Sequence, residues 1–205
     1  HVKDDDDLLN EVTALVEMPN ILIGKFEQKF LTIPHQCLEL TMKSNQKYFP
    51  ILDAENNMTN LFVIVANLSP RKIDYIVEGN EKVIRPRLAD AEFFFEKDKQ
   101  ESLSVLAKKL QHVTYHNKLG TQHDRALRVA KIHSYIDHEL QFNNKVDFEK
   151  LALASKADLS SLMVGEFPEL QGVMGNYYAN YDGEDKIFCE AIEDHYCPKF
   201  SGDNL

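Results

Sequence analysis

The chain lacks the long apolar run that a membrane helix needs, with no stretch approaching the ~18 residues required to cross a bilayer. No signal-peptide pattern of basic, apolar and small-residue zones is present. Glycine is sparse and misplaced for nucleotide chemistry. Gly172 and Gly175 do not follow a strand and have no Walker lysine beside them, so ATP binding by this chain is unsupported by its own residues. No serine nucleophile elbow, internal repeat or low-complexity linker occurs. Cysteine is limited to Cys37, Cys189 and Cys197, an odd number without metal or redox spacing. They read as buried or half-buried free thiols in a reducing compartment.

What is present is a 205-residue chain with 43% hydrophobic residues, enough for one large domain or two small ones. It opens at His1 with an acidic run, Asp4 to Asp7, that has no cap before it, and is expected to be an excised internal piece of a longer protein. The net charge of −10 is uneven: residues 80–130 sum to +3 and residues 137–205 to −9. Overall acidity argues against indiscriminate nucleic-acid binding, whereas an anionic partner would meet the middle of the chain and avoid the tail.

Leu8 to Val16 has helical spacing that Pro19 ends, and Pro34 suits the first position of a second helix. Tyr48 to Leu52 and the β-branched run Leu61 to Ala66 read as two strands of a hairpin with a long loop between them. Three consecutive apolar residues, Val63, Ile64 and Val65, predict that the second strand is buried on both faces. After the Ser69-Pro70 turn the pattern becomes helical. A long helix over 71–99 is either kinked or restarted at Pro86. Further helices are expected over 101–111, 119–140, 146–163, 170–180 and 184–196. The fold class is α+β, with an N-terminal α/β part to about residue 85 followed by an all-helical part over 86–205.

The most unusual stretch runs from Lys156 to Asp158 and on through Met163 to Gly175. Three glycines and Pro168 among apolar residues imply two helical pieces in tight contact, with Glu166, Glu169 and Gln171 held on the joint. This stretch also resembles a known family. So do the strings Met42 to Pro50, Gly79 to Ala91 continuing through Phe93 to Asp98, and Lys118 to Thr121 with Asp124, Arg125 and Arg128. Tyr177 to Glu184 and Pro198 to Asp203 extend the likeness. Together they resemble, in order along nearly the whole chain, an internal portion of the β subunit of bacterial heterotetrameric glycyl-tRNA synthetase.

The resemblance implies part of a module likened to the B3/B4 domain of phenylalanyl-tRNA synthetase over residues 1–85, then a helical HD-like domain over 86–205. It implies a cytoplasmic complex of two α and two β subunits. Glycine activation with ATP and Mg would take place on the α subunit, and the β subunit would supply tRNA(Gly) binding, with no membrane or DNA partner. This portion would then be non-catalytic and bind no cofactor itself. In the HD framework the lone histidine position, ahead of Arg128-Val129, falls on Asp124. The His-Asp doublet falls on Ala157-Asp158, where alanine replaces a metal-binding histidine. A degenerate metal site follows from that alignment.

Two alternatives stand beside this reading. One is an active metal-dependent HD-type phosphohydrolase, built on the literal His123-Asp124 pair. The other is a purely structural scaffold module. His112 and His116, four residues apart, lack a third ligand and the glutamate of a zincin motif, and read as an exposed helical pair. Candidate RNA-binding residues are Lys43, Gln46, Lys47, Arg85, Arg87, Lys118, Arg125 and Arg128, because guanidinium and ammonium groups suit phosphate. The plain structural readings are Arg87 paired with Asp90, Arg125 with a carboxylate of the acidic tail, and Lys43, Gln46 and Lys47 capping the helix-to-strand turn. Phe93, Phe94 and Phe95 read as core rather than as a base-stacking platform.

Overall fold

A computed structural model of the chain describes residues 1–68, 72–142 and 145–199. The Ser69-Pro70 turn and the end of the Pro198 to Asp203 string lie outside the described residues. Two compact units divide at Phe94/Phe95. The boundary falls within helix α3 (Ile73–Asp98), whereas the sequence reading ended its α/β part at residue 85. Pro86 lies inside that helix, which neither stops nor restarts there.

The first unit is a mixed α/β structure. Helix α1 (Asp6–Leu15) is capped by the acidic run itself: the Asp5 carboxylate accepts from the Leu8 N–H at 3.0 Å. Asp6 and Asp7 in its first turn favour the positive end of the helix dipole. The uncapped run expected from sequence is therefore the cap. Leu8 and Val12 of α1 pack on Phe49 and Val63 of the sheet.

That sheet is antiparallel in the order β1 (Asn20–Lys25), β3 (Met58–Ala66), β2 (Phe49–Leu52). The hairpin β2–β3 is present, its loop held by Asp53, whose carboxylate accepts from the Glu55 and Asn57 N–H groups at 2.9 and 2.8 Å. Strand β3 is central, and Phe62, Val63 and Ile64 are buried in succession because both of its faces are covered: Val63 packs with Leu8 and Val12 of α1, and Phe62 against Phe26 and Tyr48.

Strand β1 was not legible as a strand. Its exposed Ile21 and Ile23 alternate with buried Leu22 and Gly24, so the expected apolar face is inverted and one inward position is empty. Gly24 is inward because the fully buried Phe62 ring lies over it; a Cβ there would sit 2.6 Å from the ring. Tyr48 stacks on the same ring at 4.7 Å between centroids and donates its hydroxyl to Asn80 Oδ1 at 2.6 Å. Helix α2 (His35–Gln46) ends at Lys47, which adopts a left-handed conformation with φ of 56° and returns its N–H to Lys43. Within this unit α3 buries Ile84, Leu88 and Ala91, a stripe spaced by four and three residues.

The ends of the sheet are also tied. Residue Lys3 donates its N–H to Pro50 O, and Leu52 donates to His1 O, along the outer side of β2. On β1 the Lys25 N–H donates to the Glu81 carboxylate at 3.0 Å.

The second unit is helical apart from a short ribbon of β4 (Thr114–His116) and β5 (Gly120–Thr121). Its helices are α4 (Leu103–Lys109), α5 (Gln122–Glu139), α6 (Phe148–Ala157), α7 (Leu162–Glu166), α8 (Val173–Tyr181) and α9 (Lys186–Asp194). The ribbon separates His112, on a short 3-10 turn, from His116 on β4, so they are exposed but are not a helical pair. Of the phenylalanine run only Phe95 is core; Phe93 is 55% exposed and meets half-buried Phe94 edge to face. Cys37 and Cys189 are buried thiols, and Cys197 is exposed. No helix among the described residues is long and apolar enough to cross a membrane.

The Gly24 contact generates a prediction. Gly24→Ala drives a methyl group into the Phe62 ring, and overpacking of this kind costs about 1–3 kcal/mol. Denaturant unfolding of the variant should show that loss; an unchanged midpoint would mean that the ring yields freely.

Candidate functional site

The segment from Lys156 to Gly175 is more broken than two helical pieces. Helix α6 stops at Ala157, a 3-10 turn covers Asp158–Ser160, α7 is only 5 residues long, and a second 3-10 turn begins at Pro168. Such short pieces cannot satisfy their own terminal amides, because the first four N–H groups of any helix have no internal partner. Two buried carboxylates do it instead.

Asp158 Oδ2 accepts from the N–H groups of Gly172 at 2.6 Å and Gly175 at 3.1 Å, at the start of α8. Asp98, from the end of α3, accepts from the N–H groups of Leu162 and Met163, both at 2.9 Å, at the start of α7. Tyr178 adds its hydroxyl to Asp98 Oδ2 at 2.8 Å.

The glycines follow from this geometry. Gly172 has φ of 84°, a left-handed conformation, and a Cβ there would lie 2.6 Å from the Tyr196 ring. A Cβ on Gly175 would lie 2.6 Å from Ile192 and 3.2 Å from Asp158 Oδ2. Gly165, by contrast, faces open space. Glu166 and Glu169, expected on the joint, are exposed and form no ion pair among the described residues. Asp158 is the partner that holds the joint together.

Burial pushes the Asp158 carboxyl up to about 6, against the lowering effect of the Gly172 and Gly175 amides and of nearby Lys156. Its second oxygen, Oδ1, has no hydrogen-bond partner among the described residues. Lys156 lies over the Tyr196 ring, 3.7 Å from its centroid. Burial, then the positive charge of Arg125, holds the Lys156 ammonium down to about 8. His195 meets the Tyr196 ring at a tilt of 50°, 4.0 Å between centroids, and is held down to about 4, first by burial and then by Lys156. Arg125, on α5, lies over the Tyr115 ring at 4.8 Å.

His123 and Asp124 are engaged apart from one another. Asp124 is engaged in a capping box at the start of α5: its N–H donates to Thr121 Oγ1 at 3.2 Å, and its carboxylate accepts from the Thr121 N–H at 2.9 Å. Those bonds hold the Asp124 carboxyl below its ordinary value. His123 turns away to line a cavity of 510 Å³ with apolar Leu103, Ala107, Leu153 and Phe188. Among the described residues no three His, Cys, Asp or Glu side chains are grouped to hold a metal ion.

The eight cationic and amide candidates fall into two sets. Lys43 pairs with Asp5, Lys47 with Glu11 at 2.8 Å and Arg85 with Glu27 at 2.5 Å, all within the first unit. Gln46 approaches the Tyr48 hydroxyl at 3.5 Å. Arg87, Lys118 and Arg128 are exposed, and Arg125 is half-buried. None of these four forms an ion pair among the described residues, so the Arg87–Asp90 pairing is not made. The acidic tail offered as a partner for Arg125 lies partly outside the described residues.

Sequence reasoning passed over Asp98, Tyr178, His195 and Tyr196, and gave Lys156 no role. Asp98 ends a recognised string, but nothing in local spacing reveals that its carboxylate reaches amides 64 and 65 residues away.

A sequence model of the family described as "Glycyl-tRNA synthetase beta subunit" matches residues 1–205. Among curated relatives, the "Glycine--tRNA ligase beta subunit" of Dechloromonas aromatica is 55% identical over 203 residues, covering 98% of this chain and 28% of the relative. That of Thiobacillus denitrificans is 54% identical, covering 98% of this chain and 29% of the relative. That of Methylobacillus flagellatus is 53% identical with the same coverage. The chain thus spans less than a third of the length of these relatives.

Asp158 carries a pH signature with a definite sign. Folding raises its pKa from 3.8 to about 6, so its ionised form burdens the folded state above about 6. That burden is relieved as pH falls through 6 toward 4. Asp158→Asn keeps an acceptor for the two amides but cannot titrate. Relative to this variant, the wild type should gain about 1 kcal/mol of unfolding free energy between pH 7.5 and pH 5. A pH-independent difference between the two proteins would remove Asp158 as the titrating group.

Proposed function

Since the chain belongs to the glycyl-tRNA synthetase beta subunit family, we propose that it is a non-catalytic, tRNA-facing portion of that enzyme. Its first unit is part of a B3/B4-like module and its second an HD-like helical domain with a degenerate metal site. The assembled enzyme works in the cytoplasm as two α and two β subunits. Its α subunit uses ATP and Mg to join glycine to AMP with release of pyrophosphate, and the glycyl group then passes to tRNA(Gly). This portion holds tRNA during that sequence and contributes no reacting group.

The observation that carries this reading is the set of cations without carboxylate partners among the described residues. Arg87, Lys118 and Arg128 stand exposed in the one net-positive stretch of an otherwise acidic chain. Exposed guanidinium and ammonium groups with no carboxylate within ion-pair distance suit phosphate oxygens, and backbone contacts of this kind position RNA without reading its sequence. Lys43, Lys47 and Arg85 favour a second role, because their charges already tie α1 and α3 to neighbouring segments of the first unit. For those three a scaffold reading is preferred. The phosphohydrolase alternative gains nothing from His123-Asp124, whose aspartate is engaged as a helix cap.

Photocrosslinkers placed at positions 87, 118 and 128 of the assembled ligase should capture tRNA. Arg128→Glu should raise the KM for tRNA several-fold while leaving glycyl-adenylate formation unchanged. Residues 1–205 alone should neither form glycyl-adenylate nor charge tRNA. Aminoacylation by that piece, or no crosslink from any of the three positions, would overturn the assignment.

A further inference from the structure

Helix α5 turns its small residues inward and its large ones outward. Ala126 and Ala130 are buried with Ala152 of α6, and Phe148 and Leu153 of α6 pack against the same cluster. Further along, the His133 ring meets the Phe148 ring at 5.0 Å between centroids. A second row, Val129, Ile132, Ile136 and Leu140, is spaced by three, four and four residues and so shares one face of the helix. Those side chains are 44%, 60%, 43% and 58% exposed. Phe142 and Val146, in the chain that follows, are exposed as well.

This is the pattern of a helix built for two neighbours, of which α6 is one. Alanines on the α6 side let the two helices approach closely. The branched side chains of the outer row have more apolar area to bury, yet they stand largely in water. Scattered apolar residues at a surface are ordinary, whereas a contiguous row marks an interaction surface. From Val129 to Leu140 the row runs about 16 Å, or roughly three helical turns.

The occupant follows from the chemistry of the row and from the size of the relatives. The four side chains carry no charge and no hydrogen-bonding group, so they give nucleic acid nothing to hold. The chain spans 28% and 29% of the two relatives most fully described above, so over two-thirds of such a polypeptide lies outside residues 1–205. A segment of the same polypeptide reaches the row at high effective concentration, without the translational cost that a separate subunit meets.

We propose that this row of α5 seats an amphipathic helix of the same β-subunit polypeptide, drawn from outside residues 1–205. Its apolar side chains, at the same helical spacing, lie along Val129, Ile132, Ile136 and Leu140. Helix α5 is then an interior helix of the whole subunit, held by α6 on one side and by the incoming helix on the other. The inference needs the membership of the family but not the tRNA-facing reading.

The test uses the full-length β subunit, alone and in the assembled ligase. An aliphatic diazirine residue, close to isoleucine in size, replaces Ile136, and the products of illumination are mapped by mass spectrometry. The expected adduct joins position 136 to an apolar segment outside residues 1–205 of the same polypeptide, with or without the α subunit and tRNA. Adducts to the α subunit, to a second β subunit or to tRNA in its place would overturn the proposal. So would the absence of any adduct beyond residues 1–205. Ile132→Cys gives an independent reading. In the β subunit alone its thiol should react with a maleimide about tenfold more slowly than after unfolding in urea, because the cover must open first. Equal rates, or protection that appears only when the α subunit or tRNA is added, would overturn the proposal too. Should Ile132→Cys not fold, the crosslink decides alone. Loss of the tRNA crosslinks at positions 87, 118 and 128 bears only on the tRNA-facing reading.

Discussion

The second unit depends on buried carboxylates that accept from backbone amides. Pieces as short as α7 have more unsatisfied terminal N–H groups than internal bonds, and burying those groups bare would cost several kcal/mol in total. Asp98 and Asp158 meet the amides of two successive helix starts, and each lies where the dipole of the helix it meets is positive. Once these bonds are fixed, the rest follows. Gly172 must turn left-handed to aim its amide, Gly175 must have no side chain, and Tyr196 closes over the joint with Lys156 on its face.

This arrangement also determines what the site can do. A carboxylate that already accepts from two amides, with Ala157 before it, has a structural part to play. The same holds for Asp124, which is bonded to its own helix start. Both aspartates serve as caps of helix starts.

Much of the fold was legible because its signals are local. The α1 periodicity, the β2–β3 hairpin and the central burial of β3 can each be read from a few consecutive residues. Strand β1 could not be, because its inward positions are Leu22 and Gly24 and its outward ones Ile21 and Ile23, the reverse of the usual pattern. Gly24 makes sense only beside Phe62, 38 residues further on. The site divides in the same way. Asp158 lies inside the glycine-rich segment that the sequence singles out, although Glu166, Glu169 and Gln171 are the residues expected on its joint, whereas Asp98, His195 and Tyr196 reach it from far along the chain. The phenylalanine run misled for a simple reason: three adjacent residues on a helix point in three directions, so only one of them could be core.

The blunted rims of the three-stranded sheet have a further consequence. Along β1 the outward N–H groups alternate with those directed at β3, and the one on Lys25 is already taken by Glu81. The next outward position before Ile21 is Pro19, which has no N–H at all. Only Ile21 and Ile23 can therefore offer donors to a foreign strand, while the opposite rim at Pro50 and Leu52 is occupied by residues His1 and Lys3. A template with two free donors is too short to propagate edge-to-edge pairing. The exposed isoleucines thus sit beside a built-in guard against aggregation, which allows them to remain at the surface of an acidic, strand-containing unit.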